Sequence, residues 1–304
     1  MALLTAKGIA SVEVALLIRS LVLPRTVTTI GGGEYAGPNG DTITVRVPQP
    51  GSARTQATRG ATITYDDITE VPVDVQLAHL YHGKLLSDEE RSLDLESFAQ
   101  QIARVQIAAV ATGAEDQLAA VMNALTSDAE FDETGTAANT RAGVLTAREF
   151  LGRENAPAGD RYLAASPEIV SRLLSVSDFV KVNESGATSA LRQAIVGQIF
   201  GMQVVESSAL SAGSAVAYHS SGFAFANRVP VAPDGAAESA NFSQDGLGVR
   251  HIFQYVPDKL SDASVVSTFA GASAVVDEPD SGSGTQARRY FKFDTSESGS
   301  GSGI

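Results

Sequence analysis

The side chains best suited to chemistry are the four histidines, His79, His82, His219 and His251. His79 and His82 stand three apart, a spacing that on a helix would bring two imidazoles to one metal ion. No Asp or Glu near them completes a known ligand motif, and they fall where a strand pattern gives way to a helix pattern. Ordinary surface or packing roles are expected for both. His219 precedes Ser220-Ser221-Gly222. A nucleophilic triad is assembled in space, not by neighbours in sequence, and no Gly-x-Ser-x-Gly elbow occurs. Gly31-Gly32-Gly33 lacks the Gly-Lys-Ser/Thr of a phosphate loop and reads as a hinge. Gly197 and Gly201 read as turn glycines. Asp66-Asp67 reads as a turn and Asp88-Glu89-Glu90 as a helix start, since neither has the spacing of a calcium loop. With no cysteine in the chain, disulfides, thiolate zinc sites and thiol nucleophiles are all excluded. The expectation is therefore a protein with no catalytic, cofactor-binding or metal-binding residues, and not an enzyme.

The totals narrow the class further. Of the 304 residues, 43% are apolar and 19% charged, a globular balance able to bury a core without cross-links. The net charge of -13 would repel nucleic acid on average, whereas a domain that grips DNA is usually basic. Aromatic residues are 6% of the chain and Trp is absent, which argues against a stacking platform for bases or sugars. The apolar stretch Ile9 to Leu23 is shorter than the ~20 apolar residues needed to span a bilayer. Glu13 and Arg19 interrupt it, and no cleavage pattern follows. No membrane segment is expected.

The elements that must position any site follow from periodicity. Thr5 to Leu21 carries Ile9, Val12, Leu16 and Leu17 at helical spacing, and Pro24 ends it. Nothing adjacent in sequence could bury that face, so an arm that docks elsewhere is expected. Asp41 to Pro48 alternates as a half-buried strand; beyond a polar stretch from Gln49 to Ala61, Thr62-Ile63-Thr64-Tyr65 resumes the alternation and Val71, Val73, Val75 and Leu77 continue it. Together they predict a long projecting hairpin carrying Arg46, Arg54 and Arg59. Asp94 to Leu125 predicts one helix of about 45 Å, with a bend at Thr112-Gly113. Ser127 to Ala142 reads as a loop, and Val182 to Thr188 as another. Pro167 to Leu174 reads as a helix with Pro in its first turn. Ile195 to Val205 reads as strand, tight turn, strand. Short strands are expected at Ala215 to Tyr218 and Phe223 to Ala226, and late ones at Val249 to Val256 and Val265 to Phe269. Beyond Asp277 the Ser/Gly repeats predict a flexible tail whose distinctive stretch is Arg288 to Phe293. The fold class is α+β.

The order of these parts carries a resemblance. Leu21-Val22-Leu23 with Val27, then Gly40-Asp41-Thr42-Ile43-Thr44-Val45, is similar to the opening of the major capsid proteins of tailed bacteriophages. Leu86-Ser87-Asp88-Glu89-Glu90 before Leu93-Asp94 resembles the entry to that family's spine helix. Val196 to Val204 followed by Ser207, and His219 ahead of Phe223-Ala224-Phe225-Ala226, also look like it. The fold is the one named after phage HK ninety-seven, and the similarity is greatest to the coat-protein branch of the Salmonella-type podophages, over Ala2 to Val276. The resemblance implies an N-arm at 1–35, an E-loop hairpin at 36–78 and a peripheral P domain with the spine helix at 79–139. It further implies an axial A domain at 140–235, return strands of the P domain at 236–279 and a flexible tail at 280–304. It implies hexamers and pentamers of the chain itself, closing into an icosahedral shell around double-stranded DNA held only by non-specific contact. A separate scaffolding protein is expected because the arm starts near residue 1, along with a portal protein, a decoration protein, assembly in the host bacterial cytoplasm and residence in the virion. Some family members cross-link through a hairpin lysine; here no Lys stands between Lys7 and Lys84. The alternatives are an encapsulin-type compartment, a metal-dependent enzyme using His79 and His82, and a tail-tube protein, against which the long helix speaks.

Overall fold

A computed structural model describes residues 22–30, 40–48, 53–56, 58–60, 62–63, 65, 67, 70–89, 102–132, 137–175, 197–233, 235, 237–244, 247–277 and 286–296. The expected N-terminal arm helix, the glycine run at 31–33, the first turns of the long helix and the loop at 182–188 lie outside these residues. The class is α+β, as the sequence predicts.

The strands fall into three groups. β1 (Thr28–Ile30), β4 (Ala78–Ser87), β10 (Phe223–Arg228), β11 (Glu238–Gln244), β12 (Leu247–Val256) and β13 (Ser261–Ala274) form the first sheet. Its order is β1-β10-β13-β12-β11, with β4 on the other edge of β13. The second sheet has the order β5-β14-β9-β6-β8-β7. Its strands are β5 (Ala129–Asp132), β6 (Arg161–Ala165), β7 (Gln198–Ile199), β8 (Met202–Glu206), β9 (Ser214–His219) and β14 (Tyr290–Ser296). β2 (Thr42–Pro48) and β3 (Glu70–Gln76) pair only with each other, from Thr42↔Gln76 to Pro48↔Glu70.

Three helices complete the described chain: α1 (Arg104–Ala124), α2 (Ala137–Arg153) and α3 (Pro167–Ser175). At 21 residues α1 runs roughly 32 Å, unbroken through Gly113. Ile107, Val110, Ala111, Ala114, Leu118 and Met122 form its buried stripe at three- and four-residue steps. That stripe shares one core with Phe223, Phe225, Val266 and Ala270 of the first sheet and with Val216, Tyr218 and Tyr290 of the second. The opposite face of the second sheet carries Leu163, Ala165, Ala215, Ala217, Phe291 and Phe293 against Val144, Ala147 and Leu151 of α2 and Ile169 and Leu173 of α3. Both faces of β9 are thus covered, which is why Ser214-Ala-Val-Ala-Tyr218 is fully buried and built mostly of small residues. The turn between β7 and β8 places Phe200 at φ 49° and Gly201 at φ 82°. Two positive φ values suit the right-handed twist of a two-residue hairpin and explain why glycine stands there.

Three expectations are corrected. The segment after residue 280 is not a flexible tail throughout. Tyr290–Ser296 is an interior strand, parallel to β5 and antiparallel to β9. Phe293 is fully buried, so its hydrophobic payload outweighs the Ser/Gly flanks. Ser127 to Ala142 is not one loop: it holds β5 and the start of α2. Finally, sheet membership does not follow the expected boundaries. β5 lies within 79–139 yet joins the second sheet, and β10 lies within 140–235 yet joins the first. Non-local pairing decides both cases, and periodicity cannot reveal it.

Candidate functional site

The four histidines do not gather. β4 extends further than a strand-to-helix transition, and its alternation puts His79 and His82 on opposite faces of the first sheet. His79 packs on the Phe269 ring at 4.6 Å, on the face away from α1. His82 lies on the α1 side, as does the fully buried His251 on β12. Among the described residues, no three metal-ligating side chains cluster, and no helix is long and apolar enough to cross a membrane.

His219 does meet Ser221. Its Nδ1 lies 2.8 Å from the Ser221 hydroxyl and also accepts the Ser221 backbone N–H at 3.2 Å. Burial holds the imidazole below its usual range, Asp160 opposes this, and Arg289 and Arg161 add to it. The same hydroxyl accepts from Arg289 Nη1 at 3.2 Å. Arg289 in turn grips Asp277 with two prongs, Nε at 2.8 Å and Nη2 on the other oxygen. Gly222 lets this strap approach: a Cβ there would meet the Arg289 carbonyl at 2.9 Å. A cleft of about 560 Å³ lies beside the cluster, lined also by Pro48, Asn155 and Pro157. The hydroxyl and the guanidinium are both spent on fastening Arg289 to Asp277 and to the β9–β10 turn. The sequence offered no sign of this clamp beyond the distinctiveness of Arg288 to Phe293.

A second link ties the same late segment to α1. Lys292 is buried, and its ammonium donates to the carbonyls of Asn123 at 2.9 Å and Leu125 at 3.0 Å. These are carbonyls that the end of a helix leaves without partners, and a cation suits the negative end of the helix dipole. Asp128 closes the contact by accepting the Lys292 backbone N–H at 2.8 Å.

Exposed large apolar side chains are spread over the described surface, Val231 and Leu260 among them, and two of the places that carry them bear on assembly. The first is the hairpin. Ile43, Val47, Val73 and Val75 bury one face of its root against Ile30, Ala224, Ala226 and Val275. The other face is polar: Thr44 donates to Asp74 at 2.6 Å, and Arg46 pairs with Glu70 at 3.5 Å across an open surface. Every described residue between 53 and 67 is exposed, including Arg54 and Arg59, with Ile63 at 56% and Tyr65 at 83%. The second place is the face of the first sheet away from α1. There Tyr81 is 71% and Leu85 49% exposed, on either side of the row in which Gly83, the half-buried Val265 and the half-buried Ile252 are in register. Sequence reasoning found the hairpin and missed the sheet face, because β4 was not recognised as a strand.

No family model matches the chain, and no curated protein matches it. Solved structures do. A chain titled Mycobacterium phage Che8 superposes with a TM-score of 0.64 at 19% identity, covering 90% of both chains. A chain from the capsid of the cyanophage P-SCSP1u gives 0.61 at 12% identity, over 90% of this chain and 87% of that one. A chain of a virus-like particle from Pyrococcus furiosus gives 0.55 at 11% identity, over 94% and 97%. The chain has the α+β fold of tailed-phage capsid proteins, the one named after phage HK ninety-seven.

Proposed function

We propose that this chain is a major capsid protein of a tailed bacteriophage, a non-enzymatic subunit that assembles as hexamers and pentamers into an icosahedral shell around double-stranded DNA. The observation that carries this is the joint presence of a capsid fold over nine tenths of the chain and uncovered apolar side chains on the hairpin and the open sheet face. A hairpin from one subunit on the surface of the next is a heterologous contact, the kind that builds rings and closed shells. In this assignment β2–β3 is the E-loop and residues 1–35 the N-arm. The first sheet with α1 is the P domain and the second sheet with α2 and α3 is the A domain. The partners are copies of the chain itself, with a separate scaffolding protein, a portal protein and a decoration protein. The DNA is enclosed by non-specific contact, the shell is made in the host bacterial cytoplasm, and the product is the virion. The likeness to the particle from Pyrococcus furiosus favours one second reading, an encapsulin-type compartment with the same subunit chemistry.

Negative-stain microscopy of the purified chain, alone and co-expressed with a candidate scaffolding protein, tests the assignment. Rings, tubes or shells are expected. Discrete monomers under every condition would overturn it, and a portal or terminase gene beside this one would separate phage from compartment.

A sharper expectation concerns the hairpin. Replacing residues 49–69 by Asn-Gly should leave a folded subunit, because the root core lies in β2 and β3. Each large apolar side chain buried in a contact is worth about 1.5–3 kcal/mol, so losing Ile63 and Tyr65 should weaken subunit association by about 100-fold or more. Sedimentation velocity checks this, and unimpaired shells would show that the tip makes no inter-subunit contact.

A further inference from the structure

We propose that the hydrogen-bonded chain His251–Ser264–Gln106 is an acid-sensitive latch that holds α1 on the first sheet. This inference rests on the fold alone and stands whether or not the chain builds a shell. The three residues come from three elements, β12, β13 and α1. Each is at most 1% exposed. Ser264 Oγ donates to Gln106 Oε1 at 2.9 Å. Having given its proton away, that hydroxyl can only accept from His251 Nε2, 3.0 Å distant. The Gln106 amide then returns to the sheet, donating to the carbonyls of Ser264 at 2.8 Å and His82 at 3.3 Å. Every proton is thereby directed: His251 must be the neutral tautomer carrying hydrogen on Nε2, and α1 is fastened to β4 and β13 by one amide.

A second proton has one place to go, Nδ1, and it turns the ring into a cation within the layer between helix and sheet. Among the described residues, the neighbouring strands bring one buried carboxylate to this face, Asp262 of β13. In register across the sheet, His251 stands beside Val266 and then His82, an imidazole that brings no negative charge. Lys84 is on the same face of β4 beside Ser264, and it too is cationic. Asp262 is the carboxylate of β13 on this face, at the Tyr255 end of the row. Glu238 of β11 pairs with Phe253 and is exposed. On α1, Glu115 follows Gln106 by more than two turns and accepts from the Ser207 hydroxyl at 2.6 Å.

Burial pushes His251 from its ordinary 6.5 down to about 4. The sign follows directly. Above pH 6.5 the closed and open states are both neutral and the latch is fully engaged. As pH falls from 6.5 towards 4, the open state takes a proton that the closed state refuses, so opening gains about tenfold per pH unit. Histidine is the side chain whose ordinary titration places such a switch in this range.

The test is amide hydrogen exchange of the purified chain at about pH 7 and about pH 4.5, corrected for intrinsic rates. His251→Gln is the comparison, since it keeps a side-chain N–H for Ser264 but cannot titrate. In the wild type, protection of residues 107–118 should fall on acidification by roughly 100-fold more than that of β6 and β9. In His251→Gln that excess should disappear. Equal losses in both proteins, or no excess loss in the wild type, would overturn the latch. If the variant does not fold, NMR titration of His251 in the wild type decides: a midpoint near 4 supports the latch, and one near 6.5 overturns it.

Discussion

Phe293→Ala should destabilise the subunit by about 3–5 kcal/mol, the usual cost of emptying a buried aromatic site. Phe293 is fully buried on β14, between β5 and β9 of the second sheet, on the face that α2 and α3 cover. Phe131 meets it edge-on, with ring centroids 6.1 Å apart and planes at 86°. Gly143 of α2 lies directly over the ring: a Cβ at that position would fall 2.8 Å from two ring carbons. The helix cannot easily settle into the vacated space, because a glycine already brings its backbone to contact, so the cavity should persist. Urea unfolding measures the effect, with a lowered midpoint and an unchanged slope expected. A loss below about 1 kcal/mol would mean that the late strand adds little to this core. The expected loss of about 3–5 kcal/mol is large against the 5–15 kcal/mol by which domains are usually stable, so low yields of soluble variant are themselves expected.

Gly271→Ala should be nearly as damaging, for the opposite reason. A Cβ at Gly271 would lie 2.1 Å from the Gln76 carbonyl oxygen, 2.9 Å from its carbon and 3.3 Å from Leu77 Cα. All three are backbone atoms, so no side chain can swing aside. The strand must separate from the run β3–β4 at the point where the hairpin root meets β13. Overpacking of this kind costs about 1–3 kcal/mol. It should also re-aim the hairpin, so assembly should suffer more than stability. Gly152→Ala is the control: it lies in α2 with nothing within 4 Å of the added methyl, and a helical Gly→Ala change there should stabilise by about 0.5–1 kcal/mol. If the two substitutions behave alike in urea titration and in sedimentation, the close approach at Gly271 is not a constraint.

The sequence made legible what local patterns dictate. Alternation placed β2 and the Val71–Val75 run of β3, because one face of the hairpin root is buried and the other wet, whereas Thr62, Ile63 and Tyr65, expected to begin the return strand, lie outside it. The helical stripe gave α1, and Pro167 after Ser166 gave α3. The glycine at a positive φ gave the β7–β8 turn. Elements defined by distant partners were hidden. β4 alternates between an apolar face under α1 and an exposed face holding Tyr81 and Leu85, so both sides look apolar and the period-2 signal is lost. β14 mixes Tyr290, Phe291 and Phe293 with Lys292, Asp294 and Thr295 between Ser/Gly flanks, and it reads as tail until a sheet receives it. Lys292 looks like a surface cation, yet its amine ends the helix at Leu125, 167 residues earlier. Of the candidate assembly surfaces, the hairpin arginines were visible in advance. The sheet face was not, since it exists only once β4 pairs with β13.

The position of β14 has a consequence for biosynthesis. β14 sits between β5 and β9, from widely separated parts of the chain. While the ribosome is still making residues before Tyr290, β5 and β9 have no partner between them, and the apolar faces of α2 and α3 have no finished sheet to cover. Translation at about 5–20 residues per second leaves those faces waiting for several seconds. Completion of this half is therefore a late event, and until then its apolar faces are open to contact with other nascent chains.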